Sequence, residues 1–393
     1  MINTNRKVII VSTYCVPRIG GGETHILQLG SYLRKNSIDT NILTLNIGKS
    51  RDKEIVENVP IFRFGNINCI KEKKRGYEEI KNYVLKNVGT ISHLYLLFGV
   101  GPEYTTKEIV DLIEIGNSKG IPVILRISSS GRVTELNNVY PELVERFRLA
   151  DAYISLNSGI KKELIKVGVD KDKIFSIYNG TNTNEFYPPD KKLSNTGIAN
   201  PKTFLSVSRL STKKNVPLLI TVWGNLINRN KLGNSKLLIV GDDRFEHNKN
   251  SISNEISKIL KNSTFHKSIQ IIHGVPHKYI AKYYQCADIF VSLSIQEGMS
   301  NSILEAMSSG LFVIAPKTQA SKVLLQNKKN GLLFKMNNKE LETSIVRAFK
   351  MSNRKIRNVG MLNRKKIIER FDLDIMGKKF IKLFNNLTKN IKE

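Results

Sequence analysis

The sequence predicts an α/β protein made of two doubly wound domains, each containing a parallel sheet. Short apolar segments alternate with segments of helical periodicity along most of the chain, which is typical of parallel strands covered by helices. The chain has 393 residues, of which 40% are hydrophobic. This length exceeds one ordinary domain, and this hydrophobic content is sufficient for two cores.

The first half of the chain contains seven apolar segments that are predicted to be strands. They lie at residues 7–12, 40–45, 61–64, 93–98, 122–127, 152–155 and 174–178. Two helices are predicted at 23–35 and 105–119, because each places its apolar residues on one face at helical spacing. In the first of them these residues are Ile26, Leu29 and Leu33.

The strand pattern stops at Asn179-Gly180, and the polar segment 190–200 after two prolines is predicted to be a linker. The pattern then restarts at residue 203, where we expect the second domain. Its strands are predicted at 203–209, 236–240, 269–272, 289–293 and 312–315, and the chain after Leu341 is predicted to be helical. The predicted domains are therefore 1–188 and 189–370, followed by a C-terminal helix within 371–393.

Composition excludes several classes of protein. No apolar segment approaches the roughly 18 residues that a membrane-spanning helix requires. The apolar part of residues 5–12 is too short for a signal peptide and is predicted to be the first strand. The three cysteines are scattered and form neither a metal-binding spacing nor a disulfide framework, so we expect a cytoplasmic protein.

The formal net charge is +28, which is compatible with nucleic acid, an anionic membrane surface or acidic ligands. The alternative is that the net charge reflects only the amino-acid composition and has no binding role, because the lysines are spread along the chain rather than grouped. The densest basic segment of the first half is 71–75, followed by a helical pattern at 77–86. We predict this segment as a peripheral contact with the inner membrane face, and we predict no nucleic-acid partner.

The most specific motif occupies residues 294–315. Glu297 follows the predicted strand 289–293 and precedes a glycine, and Glu305 lies in the next predicted helix, with seven residues between the two glutamates. In open α/β sheets ligands bind outside the carboxyl ends of the strands, so Glu297 is placed to face a ligand. The alternative for Glu305 is a capping box with Ser302.

This motif, E-G-x6-E-A-M-x2-G between two strands, resembles the paired-glutamate motif of family 4 glycosyltransferases, which are retaining enzymes of the GT-B fold. The resemblance covers nearly the whole chain, through segments at 17–23, 158–180, 208–214, 241–242 and 287–288. It implies two Rossmann-like domains that face each other across a cleft. The first domain would bind the acceptor and the second the nucleotide-sugar donor, and the last helix would pack back on the first domain.

The resemblance also implies roles for individual residues. Glu297 would contact the donor sugar, and Glu305 would accept hydrogen bonds from the ribose hydroxyls. The backbone amides of four residues between them would hold the diphosphate, namely Gly298, Met299, Ser300 and Asn301. Backbone groups near His273 and Val275 would hold the base, although an ordinary hydrogen-bonded loop histidine is the alternative for His273.

The departing diphosphate gains negative charge, which a bound metal or cationic side chains must stabilise. No Asp-x-Asp stands in a matching context, and the one at Asp372 to Asp374 lies late in the chain at a predicted helix start. We therefore predict no metal and assign this role to Arg209 and Lys214, which lie at the exit of the first strand of the second domain and in its loop. The alternative is that both are ordinary solvated basic residues.

Three glycines at 20–22 follow the first strand, and the backbone of Gly21 and Gly22 could approach a phosphate closely. A tight turn is the alternative. The spacing differs from G-x-G-x-x-G, and no acidic residue follows the next strand, so we expect no nicotinamide cofactor and no other cofactor.

The sequence departs from the family pattern in two places. Ser128 stands near the position at which many members carry a sugar-contacting histidine, and 317–322 replaces the usual glycines and Pro-Glu behind the donor pocket. Arg126, Ser130 and Arg132 surround Ser128 and are candidates for contacting phosphate or acceptor. Arg126 could equally be structural.

The resemblance therefore implies a retaining glycosyltransferase that uses a UDP-linked or related nucleotide sugar. The acceptor would be a lipid-linked glycan, a polysaccharide intermediate or a small molecule. Two alternatives remain open: an epimerase-like GT-B enzyme, and a non-catalytic basic binding protein.

Overall fold

The computed structural model describes residues 6–18, 20–48, 50–67, 70–99, 103–189, 201–241, 243, 251–261 and 263–389. The predicted linker at 190–200 and the predicted family residue Asp242 lie outside these residues. The chain divides into two compact units: Met1–Gly180 with Leu373–Glu393, and Thr181–Asp372. Residues 181–188 thus group with the second unit.

The first unit is built on an eight-stranded sheet in the order β3-β4-β2-β1-β5-β6-β7-β8. Its strands are β1 Lys7–Ser12, β2 Thr40–Leu45, β3 Lys53–Val56, β4 Val59–Phe64, β5 Ile91–Phe98, β6 Val123–Ile127, β7 Ala152–Ile154 and β8 Ile174–Phe175. Its first six helices are α1 Gly21–Lys35, α2 Ile70–Lys86, α3 Glu103–Ser118, α4 Arg132–Val139, α5 Val144–Phe147 and α6 Ser158–Lys166.

All neighbouring strands of this sheet are parallel except β3 and β4, which form an antiparallel hairpin. The hairpin turns at Glu57 and Asn58, both with positive φ (48° and 67°), as tight hairpin turns require. Strand β3 was not predicted, because it lies at the edge of the sheet and contains no apolar run. Its side chains alternate between exposed and half-buried.

The second unit contains a six-stranded parallel sheet in the order β11-β10-β9-β12-β13-β14. Its strands are β9 Thr203–Val207, β10 Lys236–Val240, β11 Ile269–Ile272, β12 Ile289–Val291, β13 Phe312–Pro316 and β14 Leu332–Phe334. Its helices are α7 Val216–Asn228, α8 Ile252–Leu260, α9 Ala281–Gln285, α10 Asn301–Ser308, α11 Gln319–Leu324, α12 Asn338–Lys350 and α13 Asn353–Arg370.

The last helix, α14 Leu373–Lys389, belongs to the first unit and packs on α1. Close approach depends on Gly377, since a Cβ there would lie 2.1 Å from the ring of Tyr32. The apolar face of α14 buries Phe380 and Phe384 against His25 and His93, respectively. The prediction of an α/β protein with two parallel-sheet domains is confirmed.

Both sheets reverse their strand order at one point, between β1 and β5 in the first unit and between β9 and β12 in the second. At such a switch point the connections leave in opposite directions, which opens a crevice at the carboxyl ends of the two strands. The segments after β9 and after β12 therefore flank the place where a ligand of the second unit is expected.

Candidate functional site in the second unit

The structure brings together two side chains that lie far apart in the sequence. Lys214 ends a short 3-10 turn after β9, and Glu297 lies in the loop after β12. The Nζ of Lys214 donates a hydrogen bond to Oε1 of Glu297. The two loops are also joined by their backbones, because the amide of Ile295 donates to the carbonyl of Lys213 at 3.2 Å.

This ion pair is largely shielded from solvent, with side-chain exposures of 22% for Lys214 and 13% for Glu297. Burial alone would raise the pKa of Glu297. The charge of Lys214 and hydrogen bonds from Lys214, Ser294 and Ser300 outweigh that effect, and the pKa is lowered. Glu297 is therefore ionised at neutral pH and fixed in position, and Lys214 presents a cation at the same edge.

Further positive character comes from the residues around this pair. Helix α10 begins at Asn301 with Ser300 as its N-cap, directly after Gly298 and Met299. The N-terminal end of a helix carries partial positive charge. Arg209 lies two residues beyond β9 and is partly buried. The carboxyl edge of the sheet at the switch point thus combines two cations and a helix N-terminus, which suits an anionic ligand.

Glu305 lies one turn further into α10 and is 5% exposed. Its Oε1 accepts a hydrogen bond from Nε2 of His277 at 3.0 Å, and its Oε2 accepts one from the hydroxyl of Tyr284 at 2.7 Å. The capping-box alternative is wrong, because the helix begins at Asn301 and Glu305 is the fifth residue rather than the third. Glu305 is held by side chains and does not cap the helix.

His277 and Tyr284 are site residues that the sequence reasoning missed. Phe186 packs against both rings, with centroid distances of 5.8 Å to His277 and 5.7 Å to Tyr284. Burial and the neighbouring Glu305 raise the pKa of Tyr284, which keeps its hydroxyl a donor. The signal available was the pair of histidines in residues 273–277, where the prediction selected the first.

His273 and Val275 lie in the loop that follows β11, and His273 is exposed. The loop turns at Gly274, whose φ of 69° is in the left-handed region. The second histidine of this loop, His277, points to Glu305 instead. Binding of a base by this loop remains a prediction.

In the first unit, the glycine loop leads directly into α1, which begins at Gly21 with Gly20 as N-cap. The carboxylate of Glu23 lies over the loop, since a Cβ at Gly20 would be 2.5 Å from its Oε2. Glu23 also pairs with Arg18 at 3.5 Å. Gly22 lies against the side chain of Leu97, where a Cβ would be 3.3 Å away. A phosphate contact of Gly21 and Gly22 stays a prediction.

The three candidate acceptor residues each have partners within the first unit. Arg126 is 2% exposed and donates to Oδ1 of Asn179 at 2.8 Å, and burial lowers its pKa. Ser130 accepts from the amide of Asn157 at 3.2 Å. Arg132 forms an ion pair with Glu135 at 2.5 Å. These contacts stabilise the unit, and acceptor binding by the three residues stays a prediction.

The basic segment 71–75 begins near the start of α2. Arg75 forms ion pairs with Glu72 at 3.7 Å and with Glu79 at 2.9 Å, so acidic neighbours offset part of its charge. Within the part of the chain that the structure describes, no helix is long and apolar enough to cross a membrane.

Comparison with known proteins identifies a family that matches the second unit. Residues 190–360, which contain Arg209, Lys214, Glu297 and Glu305, match the family Glycosyl transferases group 1. The protein is a glycosyltransferase, as this match and the named relatives show.

Two curated relatives are each 24% identical and match almost from end to end. One is an uncharacterized glycosyltransferase of Methanocaldococcus jannaschii, over 97% of this chain and 98% of the relative. The other is the UDP-Gal:alpha-D-GlcNAc-diphosphoundecaprenol alpha-1,3-galactosyltransferase of Escherichia coli, over 95% of each chain.

Solved structures show the same fold at low identity. Sucrose-phosphate synthase from Thermosynechococcus elongatus matches with a TM-score of 0.81 at 18% identity, over 98% of this chain and 100% of that chain. The Anabaena protein HepE, solved in complex with UDP-glucose, matches with a TM-score of 0.75 at 15% identity, over 97% and 99%. The chain therefore has the GT-B fold.

Proposed function

We propose that this protein is a retaining, family 4 glycosyltransferase that transfers a hexose or N-acetylhexosamine from a UDP-linked sugar. The observation that carries the proposal is the Lys214–Glu297 pair at the switch point of the second sheet, next to the start of α10. A diphosphate at this edge would meet Lys214, Arg209 and the helix N-terminus. A sugar attached to it would meet the carboxylate of Glu297.

The names of similar proteins support a uridine nucleotide as the donor. HepE was solved with UDP-glucose, and the E. coli relative is named for UDP-Gal. That relative is also named for an acceptor carried on diphosphoundecaprenol, which favours a lipid-linked acceptor over a soluble one. We propose such an acceptor, bound mainly by the first unit, for a protein that works peripherally at the inner membrane face.

The chemistry requires the bond between the sugar C1 and the phosphate oxygen to break as a bond from C1 to an acceptor hydroxyl forms. With retention, attack occurs on the face that the phosphate leaves, and the departing phosphate oxygen takes the acceptor proton. Negative charge therefore builds up on the diphosphate. Lys214 and Arg209 would stabilise it, because fixed cations in a partly desolvated site need little reorganisation. Glu297 would orient the sugar hydroxyls.

Donor use can be tested directly on the purified protein. UDP-hexoses and UDP-N-acetylhexosamines are expected to raise the melting temperature, because a ligand that binds only the folded state stabilises it. A set of nucleotide sugars with other bases provides the comparison.

Transfer to a lipid-diphosphate acceptor, followed by NMR of the product, should show the same anomeric configuration as the donor. Sugar isomerisation without transfer would indicate an epimerase instead. Binding of none of these donors would contradict the proposal.

Nucleotide binding is expected to need no divalent metal. The carboxylates of Asp372 and Asp374 are used elsewhere: Asp372 accepts from Thr183 at 2.6 Å, and Asp374 accepts from Tyr32 at 2.8 Å. Charge neutralisation would instead come from Lys214 and Arg209. Calorimetric titration of UDP with and without EDTA measures this. We expect the same affinity for UDP in both conditions. A tenfold or larger loss of this affinity in EDTA would contradict the prediction.

A further inference from the structure

Helix α13 has two faces of opposite character. Its inner face, with Ile356, Gly360 and Ile367 buried, packs against α10 and β13. The packing is close, since a Cβ at Gly360 would lie 1.8 Å from the carbonyl oxygen of Gly310. The position of α13 against the helix that carries Glu305 is therefore fixed by backbone contact.

The outer face of α13 combines exposed apolar side chains with cations. Met361, Leu362 and Ile368 are 49%, 57% and 45% exposed, respectively. They recur at helical spacing with four of the exposed cations of this helix, namely Arg354, Lys355, Arg357 and Lys365. The whole helix has seven basic residues and a single acidic one, Glu369, which pairs with Lys365 at 3.8 Å.

A basic groove of ≈ 740 Å³ adjoins the first turn of α13. Its cations include Lys231, Arg347, Lys350 and Lys355, and Val346 and Met351 supply apolar walls. One further cation, Arg229, is paired with Glu342 at 2.8 Å. The groove extends the positive surface of α13 onto α12 and is large enough for phosphate-bearing groups.

We propose that the outer face of α13, together with this groove, binds the anionic surface of a lipid bilayer. A helix that lies in the membrane interface presents apolar side chains for shallow insertion and basic residues for acidic headgroups. Each such cation near the surface adds to the attraction, and salt screens it. This inference deepens the proposed function, because a lipid-linked acceptor would be reached from such a surface.

Other occupants fit these observations less well. A second copy of the chain would bring two strongly basic helices together, and like charges repel. Nucleic acid is bound through phosphate contacts and base stacking, for which exposed Met, Leu and Ile side chains on a helix are unsuited. An acidic protein is the remaining candidate, and the failure of vesicle binding would point to it.

The segment 71–75 in α2 fits an anionic surface less well than α13. Arg75 has two acidic partners, and Lys81 pairs with Glu78 at 2.8 Å and with Asp111 at 3.1 Å. Among the side chains of α2 that the structure describes, one large apolar side chain, Leu85, is exposed, against three on α13. The two helices therefore provide a matched comparison.

The test is vesicle co-sedimentation of the full chain, with phosphatidylcholine alone and with added phosphatidylglycerol, at low and high salt. The charge variant Arg354→Gln, Arg357→Gln, Lys365→Gln is expected to bind anionic vesicles at least about tenfold more weakly. The apolar variant Met361→Ser, Leu362→Ser, Ile368→Ser should also bind more weakly, with most of its loss seen at high salt. The control Lys71→Gln, Lys74→Gln, Arg75→Gln removes the same charge and should bind nearly as the parent does.

The inference is overturned by equal sedimentation with neutral and anionic vesicles, or by α13 variants that bind as the parent does. A loss confined to the α2 control would transfer the surface to that helix. Melting temperature and UDP binding, measured on each variant, show that the protein is folded. They also separate this inference from the proposed function: vesicle binding without donor binding would contradict the function alone, and donor binding without vesicle binding would contradict the surface alone.

Discussion

Replacing Lys214 with alanine is expected to lower kcat by about a hundred- to a thousandfold. This corresponds to about 2.7–4 kcal/mol, the typical cost of losing one fixed donor that stabilises charge developing in a transition state. The donor KM should change less, because the charge on the diphosphate grows as the bond breaks. Steady-state kinetics with saturating acceptor measures both parameters.

The matched control is Lys213→Ala, which removes the same charge from an exposed neighbouring side chain. It should keep kcat close to that of the parent. If the two alanine variants lose activity equally, the effect is one of general positive charge, and the specific role of Lys214 is wrong.

Stability should respond to pH in a way that reports the ion pair. Glu297 has a pKa below its usual 4.5, so its stabilising contribution is present above that value and is lost as pH falls through the lowered pKa. In Lys214→Ala, only the hydrogen bonds from Ser294 and Ser300 still oppose the effect of burial, so the pKa of Glu297 should rise. The difference in melting temperature between parent and variant should therefore be large at neutral pH and shrink in acid. A difference that is independent of pH would contradict the coupling.

The strands were predictable from sequence because parallel, buried strands are continuous apolar runs, as in residues 7–12 and 40–45. The two missed strands lacked that signal. Strand β3 is an exposed edge strand, and β14 has three residues after a turn. Short edge elements are specified by pairing with a neighbour, which a single local window of sequence does not reveal.

The site was partly predictable for a related reason. Glu297, Arg209 and Lys214 all follow strand ends, and carboxyl ends of parallel strands converge at one edge, so their proximity followed from topology. The partners of Glu305 could not be predicted from topology in this way. His277 and Tyr284 lie on a loop turn and on α9, and their meeting with Glu305 depends on how these elements pack on α10. No spacing rule encodes such packing.

The two glutamates are expected to separate kinetically. Glu305→Gln should mainly raise the donor KM, because the ribose is remote from the breaking bond and its contacts are similar in the ground and transition states. Loss of a hydrogen bond to a charged group is worth about 1.5–3 kcal/mol, which is a rise of about tenfold or more. Glu297→Gln should mainly lower kcat, because the sugar that it contacts changes shape as the bond breaks.

The structure supplies a competing explanation for Glu305, which is that it serves only to hold His277 and Tyr284. Tyr284→Phe separates the two, because it removes a donor to Glu305 but leaves the carboxylate. This variant should lose about 1 kcal/mol of stability and keep most of its donor affinity. Melting temperature, donor KM and kcat are measured for all three variants. A Glu305→Gln protein with a lowered melting temperature and an unchanged donor KM would refute the ribose contact, and Glu305 would then be a structural residue that fixes the loop after β11 to α10.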